Sequence, residues 1–243
     1  MGTVVVVGTG IALSHITREA EGAIRSAEVV FYAVGDPVTT NWITRIHPST
    51  QSLLGHYEEG RDRAETYAAM VEQVLATVRA GRHVCVALYG HPGVFAYPGH
   101  EIVRRAQAEG FLAEMLPAVS ALDCLFSDLQ LDPAVAGCQM YDATYFLLRS
   151  LGIDTSVPLI LWQVALVGIA AFEANPTPDL VPLQTLLAQL YSPTHQVIVY
   201  EASAYPGLRP STQTMAIGDL GQARLSLSST LYIPASPATQ FVL

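Results

Sequence analysis

The 243-residue sequence predicts an α/β protein built from two lobes. In its first half, short continuous apolar runs alternate with stretches of helical character, which is typical of parallel strands covered by helices on both faces. A second series of β-branched runs and helices follows an irregular stretch. We therefore expect an N-terminal lobe (residues 1–120), a C-terminal lobe with mixed strands (residues 121–235) and a tail (residues 236–243).

In the first lobe, apolar runs alternate clearly with helical stretches, and this alternation indicates its strands and helices. Strands are predicted at residues 3–8, 28–34, 83–89 and 112–116, and helices near residues 15–27, at 62–79 and near 97–109. The strands are almost continuously apolar, which indicates burial on both faces and favours a mostly parallel sheet.

The second lobe is predicted from weaker signals. Strands are expected at residues 157–164, 195–203 and 226–234, a helix near 180–191 and a short amphipathic segment at 212–220. Residues 117–160 carry prolines and capping residues in no regular pattern, and we place the lobe boundary near residues 120–140.

Composition excludes several classes of protein. The sequence is 51% hydrophobic and only 14% charged, which suggests surface hidden in a homodimer. Its net charge of −9, with no basic cluster, argues against a nucleic-acid partner. No apolar run is long enough to span a membrane and no signal peptide is recognisable, so we expect a cytoplasmic protein without a membrane partner.

Metal chemistry is not expected. Cys85, Cys124 and Cys138 form no CxxC pair and have no histidine at ligand spacing, so we interpret them as buried reduced thiols. The seven histidines form no known ligand motif.

Two glycine-rich loops follow predicted strands. In "VVVVGTGI", Gly8 and Gly10 resemble a dinucleotide fingerprint, but Leu13 stands where the third glycine belongs, so a nicotinamide site is disfavoured. In "YGHPGVF" (89–95), two glycines permit close backbone approach and a proline stiffens the turn. A purely structural turn remains the alternative for each loop.

A third loop strengthens the case for a ligand. "LPAVSALDC" (116–124) also follows a strand, and Ser120 can cap a helix there. Because parallel sheets bind ligands at the carboxyl ends of their strands, these loops favour one shared crevice.

The motifs together resemble a known superfamily. "VVVVGTGI", "YGHPGVF", "LPAVSALDCLFSDL", "LILWQV" and "STLYIP", in this order, are similar to the tetrapyrrole methylases, whose two α/β lobes hold S-adenosylmethionine in a cleft between them. More narrowly, "VFYAVGDPVT", "YEEGRDRAETYAAM", "YGHPGVFAYPGH" and "LDPAVAGCQMYDATYFL" resemble the borosin enzymes, which methylate backbone amide nitrogens of a peptide. The resemblance covers nearly the whole chain.

The resemblance implies a set of cofactor contacts. Residues at the matching positions would contact S-adenosylmethionine: Tyr89, Val94, Ser120, Ala121, Gln163, Ser229 and Thr230. No metal is implied.

The segment "HYEEGRDRAETY" carries the candidate catalytic residues. Arg63 and Tyr67 are four residues apart on one helix face, and Tyr57 lies just before that helix. Periodicity alone also allows Tyr67 to be a core aromatic, since it continues an apolar stripe through Met70 and Val74. The arginine beside that stripe needs an anion or acceptor, which favours a functional role.

The chemistry expected of these residues is proton removal. Ionising a tyrosine at neutral pH costs roughly 4 kcal/mol, and a cation about 4 Å away at an effective dielectric constant of ~20 returns a similar amount. The resemblance gives Tyr57, Arg63 and Tyr67 catalytic roles, but either tyrosine is compatible with being the base, and Tyr57 could instead hold the amide oxygen. A family tyrosine is replaced here by Leu54, which puts one supporting contact in doubt.

Three functions follow as hypotheses. The first is a stand-alone peptide backbone N-methyltransferase acting on a separate precursor peptide, because the sequence ends soon after "STLYIP". The second is a corrin or porphyrin C-methyltransferase, which is disfavoured because its substrate is a large anion and the sequence has only 12 basic residues, all arginines, in no obvious cluster. The third is a non-catalytic module that binds cofactor or peptide, which would have no use for Arg63 with two tyrosines.

Overall fold

The computed structural model describes residues 1–149 and 151–236, which divide into two compact units. The first unit comprises Met1–Cys124, Ala171–Glu173 and Ser203–Leu208; the second comprises Leu125–Ala170, Ala174–Ala202 and the chain from Arg209 onward. Apart from Ser236, the predicted tail lies outside the described residues.

The first unit is built on a five-stranded sheet. Its strands are β1 (Thr3–Gly8), β2 (Val29–Ala33), β3 (Thr50–Ser52), β4 (His83–Leu88) and β5 (Leu112–Met115). They lie in the order β3-β2-β4-β1-β5, and every pair is parallel. The predicted α/β fold with a parallel sheet is thereby confirmed.

Helices cover both faces of this sheet. They are α1 (Arg18–Ser26), α2 (Pro37–Ile46), α3 (Arg63–Arg79) and α4 (Tyr97–Ala108). One core cluster joins α3 and α4 to one face through fully buried residues such as Val6, Leu75 and Ile102. A second cluster joins α1 and α2 to the other face, with Ile24 and Ile43 at its centre.

The second unit contains a mixed sheet, as predicted. Its strands are β6 (Gln139–Asp142), β7 (Leu159–Trp162), β8 (Gln196–Glu201), β9 (Ser211–Ala216) and β10 (Thr230–Ile233). They lie in the order β6-β7-β10-β8-β9, where β6 and β7 pair parallel and the other pairs are antiparallel. The accompanying helices are α5 (Ala121–Asp128), whose first turn belongs to the first unit, α6 (Pro133–Ala136), α7 (Ala143–Arg149) and α8 (Val181–Leu190).

Several elements differ from the sequence prediction. The helix expected from residue 15 begins at Arg18, because Thr17 is its cap and a short 3₁₀ turn precedes it. The elements α2, β3, β6 and α7 were not predicted, and three of these four lack a clear apolar run. The amphipathic segment at 212–220 is β9 followed by a 3₁₀ helix.

The cysteines correct one expectation. None of the three is in a disulfide, but only Cys85 is buried, whereas Cys124, within α5, and Cys138, just before β6, are half-buried. Among residues 1–149 and 151–236, no three His, Cys, Asp or Glu side chains are grouped to hold a metal ion. In the same ranges, none of the helices combines the length and the apolar character needed to cross a membrane.

Candidate functional site

Four aromatic side chains of the first unit lie in a row, which we call the aromatic cluster. The ring centroids of Phe172 and Tyr57 are 4.9 Å apart, those of Tyr57 and Tyr67 are 6.5 Å apart, and those of Tyr67 and Tyr97 are 6.2 Å apart. The rings of Tyr57 and Tyr67 meet edge to face at 89°. The cluster thus brings two of the three sequence-predicted catalytic residues into contact.

The start of α3 positions the third predicted catalytic residue, Arg63. Asp62 caps this helix, because its carboxylate accepts hydrogen bonds from the backbone N–H of Ala64 at 2.7 Å and of Glu65 at 3.4 Å. The cap fixes Arg63 in the first turn and Tyr67 one turn later on the same face. Both side chains are half-buried, and Tyr67 also packs against the core. The packing role of Tyr67 is thereby confirmed, and its catalytic role stays a prediction.

Burial and the two neighbours of Tyr57, Tyr67 and Arg63, affect its pKa to different extents. Burial raises the pKa of the Tyr57 phenol well above its usual value, and the neighbouring Tyr67 raises it further through charge and a side-chain hydrogen bond. The positive charge of Arg63 acts in the opposite direction but is the smallest of these effects. Tyr57 consequently keeps its proton and is a hydrogen-bond donor at neutral pH.

The glycine loops meet at the carboxyl edge of the first sheet. Gly10 and Gly90 exchange backbone hydrogen bonds of 3.2 and 3.1 Å, and both have positive φ, which favours glycine. A Cβ atom on Gly8 would lie 2.2 Å from the carbonyl oxygen of Gly90 and 2.5 Å from the Cβ of Ala118. The loops after β1, β4 and β5 are therefore packed too closely at Gly8 for any side chain.

The predicted cofactor residues of the first unit differ in exposure. Tyr89 and Val94 are exposed, at 38% and 36%, and offer apolar surface. Ser120 is buried and caps α5, since its hydroxyl donates to the carboxylate of Asp123 at 2.7 Å and accepts from the N–H of Leu122 at 3.2 Å. Ala121 is the first residue of that helix.

The predicted cofactor residues of the second unit lie at strand ends. Gln163 follows β7 directly and has the left-handed conformation, with φ 56° and ψ 35°, at the start of a 3₁₀ turn. Non-glycine residues in this region are strained and recur at functional sites. Ser229 and Thr230 are both buried at the start of β10.

A cavity of about 410 Å³ opens beside one of these residues. Ser229 lines it together with Val199, Tyr200, Glu201, Ser211, Gln213, Arg224, Leu225 and Ser226. The Ser226 hydroxyl donates to Glu201 at 2.6 Å, and the Ser229 hydroxyl accepts from the N–H of Ser226 at 2.8 Å. The volume falls within the range of small-molecule sites, roughly 300 to 1,000 Å³.

Two members of the aromatic cluster were missed by the sequence analysis. Tyr97 belongs to the quoted stretch "YGHPGVFAYPGH", and its place just after a glycine loop was a usable signal. Phe172 had no such signal, because it follows Tyr57 by more than a hundred residues and lies outside every motif.

Comparison with known proteins identifies the family. Residues 3–209 match the family model of the Tetrapyrrole (Corrin/Porphyrin) Methylases. The solved uroporphyrin-III C-methyltransferase of Thermus thermophilus, complexed with S-adenosylhomocysteine, superposes with a TM-score of 0.65, at 18% identity over 96% of this chain and 92% of that one. The methyltransferase CobJ gives a TM-score of 0.62, at 14% identity over 97% and 95% of the two chains.

Similar sequences are found among fungal proteins. The methyltransferase/ribosomally synthesized cyclic peptide dendrothelin A precursor of Dendrothele bispora is 40% identical, over 96% of this chain and 58% of its own length. The methyltransferase/ribosomally synthesized type I borosin cyclic peptide precursor of Coprinopsis marcescibilis is 37% identical, over 96% and 62%. The chain thus spans about three-fifths of these relatives, and its predicted resemblance to borosin enzymes is confirmed. By the match over most of its length, the chain belongs to the tetrapyrrole methylase family.

Proposed function

We propose that this chain methylates backbone amide nitrogens of a ribosomally made precursor peptide, with S-adenosylmethionine as the methyl donor. The observation that carries the proposal is the contact of Tyr57 with Tyr67 beside Arg63, because it joins a hydrogen-bond donor, a candidate base and a cation. The names of the 40% and 37% identical relatives, which combine methyltransferase and precursor peptide, support the same substrate class.

The residues present fit the methyl donor. In the first unit, exposed Tyr89 and Val94 offer apolar surface for a part of the donor. In the second unit, taken by itself, Gln163 has a strained backbone at a strand end. The buried hydroxyls of Ser229 and Thr230 supply further polar atoms. When bound, S-adenosylmethionine supplies a methyl group on a positively charged sulfur.

The chain's own residues have to make the amide nitrogen reactive. A peptide nitrogen is a poor nucleophile because resonance occupies its lone pair, so its proton has to leave during the reaction. In the proposed mechanism Tyr67, as a phenolate, takes that proton and becomes a neutral phenol. Arg63 stabilises the negative charge before the transfer and the developing charge on the amide during it.

Tyr57 has the complementary role. Its raised pKa keeps the phenol protonated at neutral pH, so almost no Tyr57 phenolate is available to take the proton, and we assign that step to Tyr67. The Tyr57 hydroxyl donates a hydrogen bond, either to the Tyr67 oxygen or to the carbonyl oxygen of the bound amide. Either bond would stabilise negative charge next to it.

The proposal is tested by mass spectrometry on purified protein. The probes are S-adenosylmethionine with peptides encoded next to the gene, and a linear synthetic peptide of the dendrothelin A sequence. We expect mass increments of one methyl group, located on backbone nitrogens by fragmentation. Arg63→Ala and Tyr67→Phe should each lower kcat by about 10² or more, whereas the exposed Tyr145→Phe should leave it unchanged.

The same experiment tests how the peptide is presented and what else is methylated. Modification of the added peptide supports a substrate supplied as a separate chain; wild-type protein that modifies none of the peptides contradicts the proposal. Uroporphyrin III serves as the competing probe, because the family model includes porphyrin methylases. Carbon methylation of that macrocycle would assign the second function instead.

A further inference from the structure

A short segment far along the chain is fastened to the loop that precedes α3. The N–H of Phe172 donates to the carbonyl oxygen of Arg61 at 2.7 Å, and the N–H of Gly60 donates to the carbonyl oxygen of Phe172 at 2.9 Å. Asp62 and Ala171 form an antiparallel bridge beside these bonds. The loop carries Tyr57 at one end and the cap of α3 at the other, and the contact fastens its second half, residues 60–62.

The side chain of the fastened residue lies on the candidate catalytic tyrosine. The ring of Phe172 packs on the ring of Tyr57 with a centroid distance of 4.9 Å and an angle of 41°. Tyr57 thus contacts two aromatic rings, that of Phe172 and the edge-to-face ring of Tyr67. Aromatic rings at such distances attract each other beyond their shared burial, which favours one orientation of the Tyr57 ring.

We propose that Phe172 is a positioning residue for the peptide N-methylation proposed above: its ring fixes the orientation of the Tyr57 phenol toward Tyr67 and keeps water away from it. The inference rests on the proposed function. It goes beyond it because Phe172 lies outside every motif and carries no group that could react.

Two physical effects are expected when the ring is replaced. An unsupported Tyr57 can rotate, and a misplacement of about 1 Å in a catalytic group costs on the order of 10² in rate. Water also reaches the phenol, which weakens the burial that raises its pKa. The charged or titratable groups that act on Tyr57 are Tyr67 and Arg63, both on α3, while Phe172 contributes an uncharged ring.

The test compares side chains of different shape at the same backbone. Phe172→Leu keeps an apolar side chain and both backbone hydrogen bonds but removes the ring; Phe172→Tyr keeps the ring. Phe111→Leu is the matched control, since Phe111 is also half-buried and packs against the core of the same unit. We expect Phe172→Leu to lower kcat for the methylated peptide at least tenfold with KM changed less than threefold. Phe172→Tyr should restore kcat, and Phe111→Leu should leave it within twofold.

A second readout does not need turnover. Alkaline titration of tyrosine absorbance, at pH values where circular dichroism shows a folded protein, should reveal one tyrosine that ionises earlier in Phe172→Leu than in the wild type. When Tyr57→Phe is introduced into both proteins, their titration curves should coincide, because the tyrosine whose ionisation differs is absent. Phe111→Leu should titrate like the wild type.

The outcomes separate the two claims. An inactive wild type that still shows the titration difference contradicts the proposed function, and with it the catalytic meaning of Phe172, but not the ring contact. An active wild type whose Phe172→Leu variant has unchanged kcat and an unchanged titration curve overturns the inference and leaves the proposed function intact.

Discussion

The two halves of α3 differ in burial and in the kind of residue they carry, although they belong to one continuous helix. Its first turns carry Arg63 and Tyr67, which are half-buried and ionisable; Tyr67 belongs to the aromatic cluster, and the charge of Arg63 acts on Tyr57. Its later turns carry Val74, Leu75 and Val78, which are fully buried against the first sheet. The same 3.6-residue repeat therefore extends from a candidate reaction site into a core.

The comparison shows how one helix combines rigidity with chemistry. The buried half fixes the helix axis, and because a helix is stiff, the position of its first turn follows from the packing of its last. A polar group at the exposed end is then held accurately without being buried itself. Substitutions in the two halves should consequently affect different measurements.

The largest expected change in stability comes from the buried half. Leu75→Ala removes methyl groups from a fully buried position, so unfolding in urea should show a loss of about 2–5 kcal/mol. Tyr67→Phe, in the first half, should change the free energy of unfolding by less than about 1 kcal/mol while abolishing methylation. If both variants lost stability equally, the two halves would not be distinct.

A smaller effect is expected from Tyr57→Phe, as a change in the pH dependence of the free energy of unfolding. The pKa of Tyr57 is raised in the folded protein, so its contribution to stability is complete below the unfolded value of about 10 and is lost as pH rises through the folded value. Tyr57→Phe has no phenol at this position and therefore lacks this pH-dependent contribution. Urea unfolding between pH 8 and 11 should therefore show a shallower decline above pH 10 in Tyr57→Phe than in the wild type; parallel declines would argue against a buried phenol.

The smallest effect concerns the last residue of α3, Arg79, whose side chain is on the surface. Arg79 pairs with Glu109 at 2.7 Å and with Glu72, and its hydrogen bonds hold the pKa of both carboxyl groups below the ordinary value. A lowered pKa gives stability that is present above about pH 4.5 and is lost as pH falls through the folded value. Arg79→Gln should thus slightly reduce stability at pH 7 and make it less sensitive to acid, and 1 M salt should remove most of the difference.

The sequence predicted those elements that combine an apolar run with a clear boundary. β1, β2, β4 and α3 are of this kind, and α3 begins one residue after its predicted start because Asp62 is the cap. β3 and β6 could not be found in this way, because they have three and four residues and contain no fully buried position. α2 carried a usable signal, since Asp36 caps it and Pro37 occupies its first position.

The candidate site was predicted only as far as its motif extended. Tyr57, Arg63 and Tyr67 lie within eleven residues, and helical spacing places two of them on one face. Periodicity could not decide between a core and a catalytic Tyr67, because the stripe it belongs to is continuous with the core. Phe172 was out of reach, since only tertiary folding brings segment 171–173 to the loop before α3.

The crowding around Gly8 has a consequence for engineering this protein. No side chain can be added there without moving the backbone of the β4 loop, so a mutant library gains nothing from randomising that position. Tyr97 is the better choice for diversification: it is 56% solvent-accessible, lies at the end of the aromatic cluster, and changes there need not disturb the sheet.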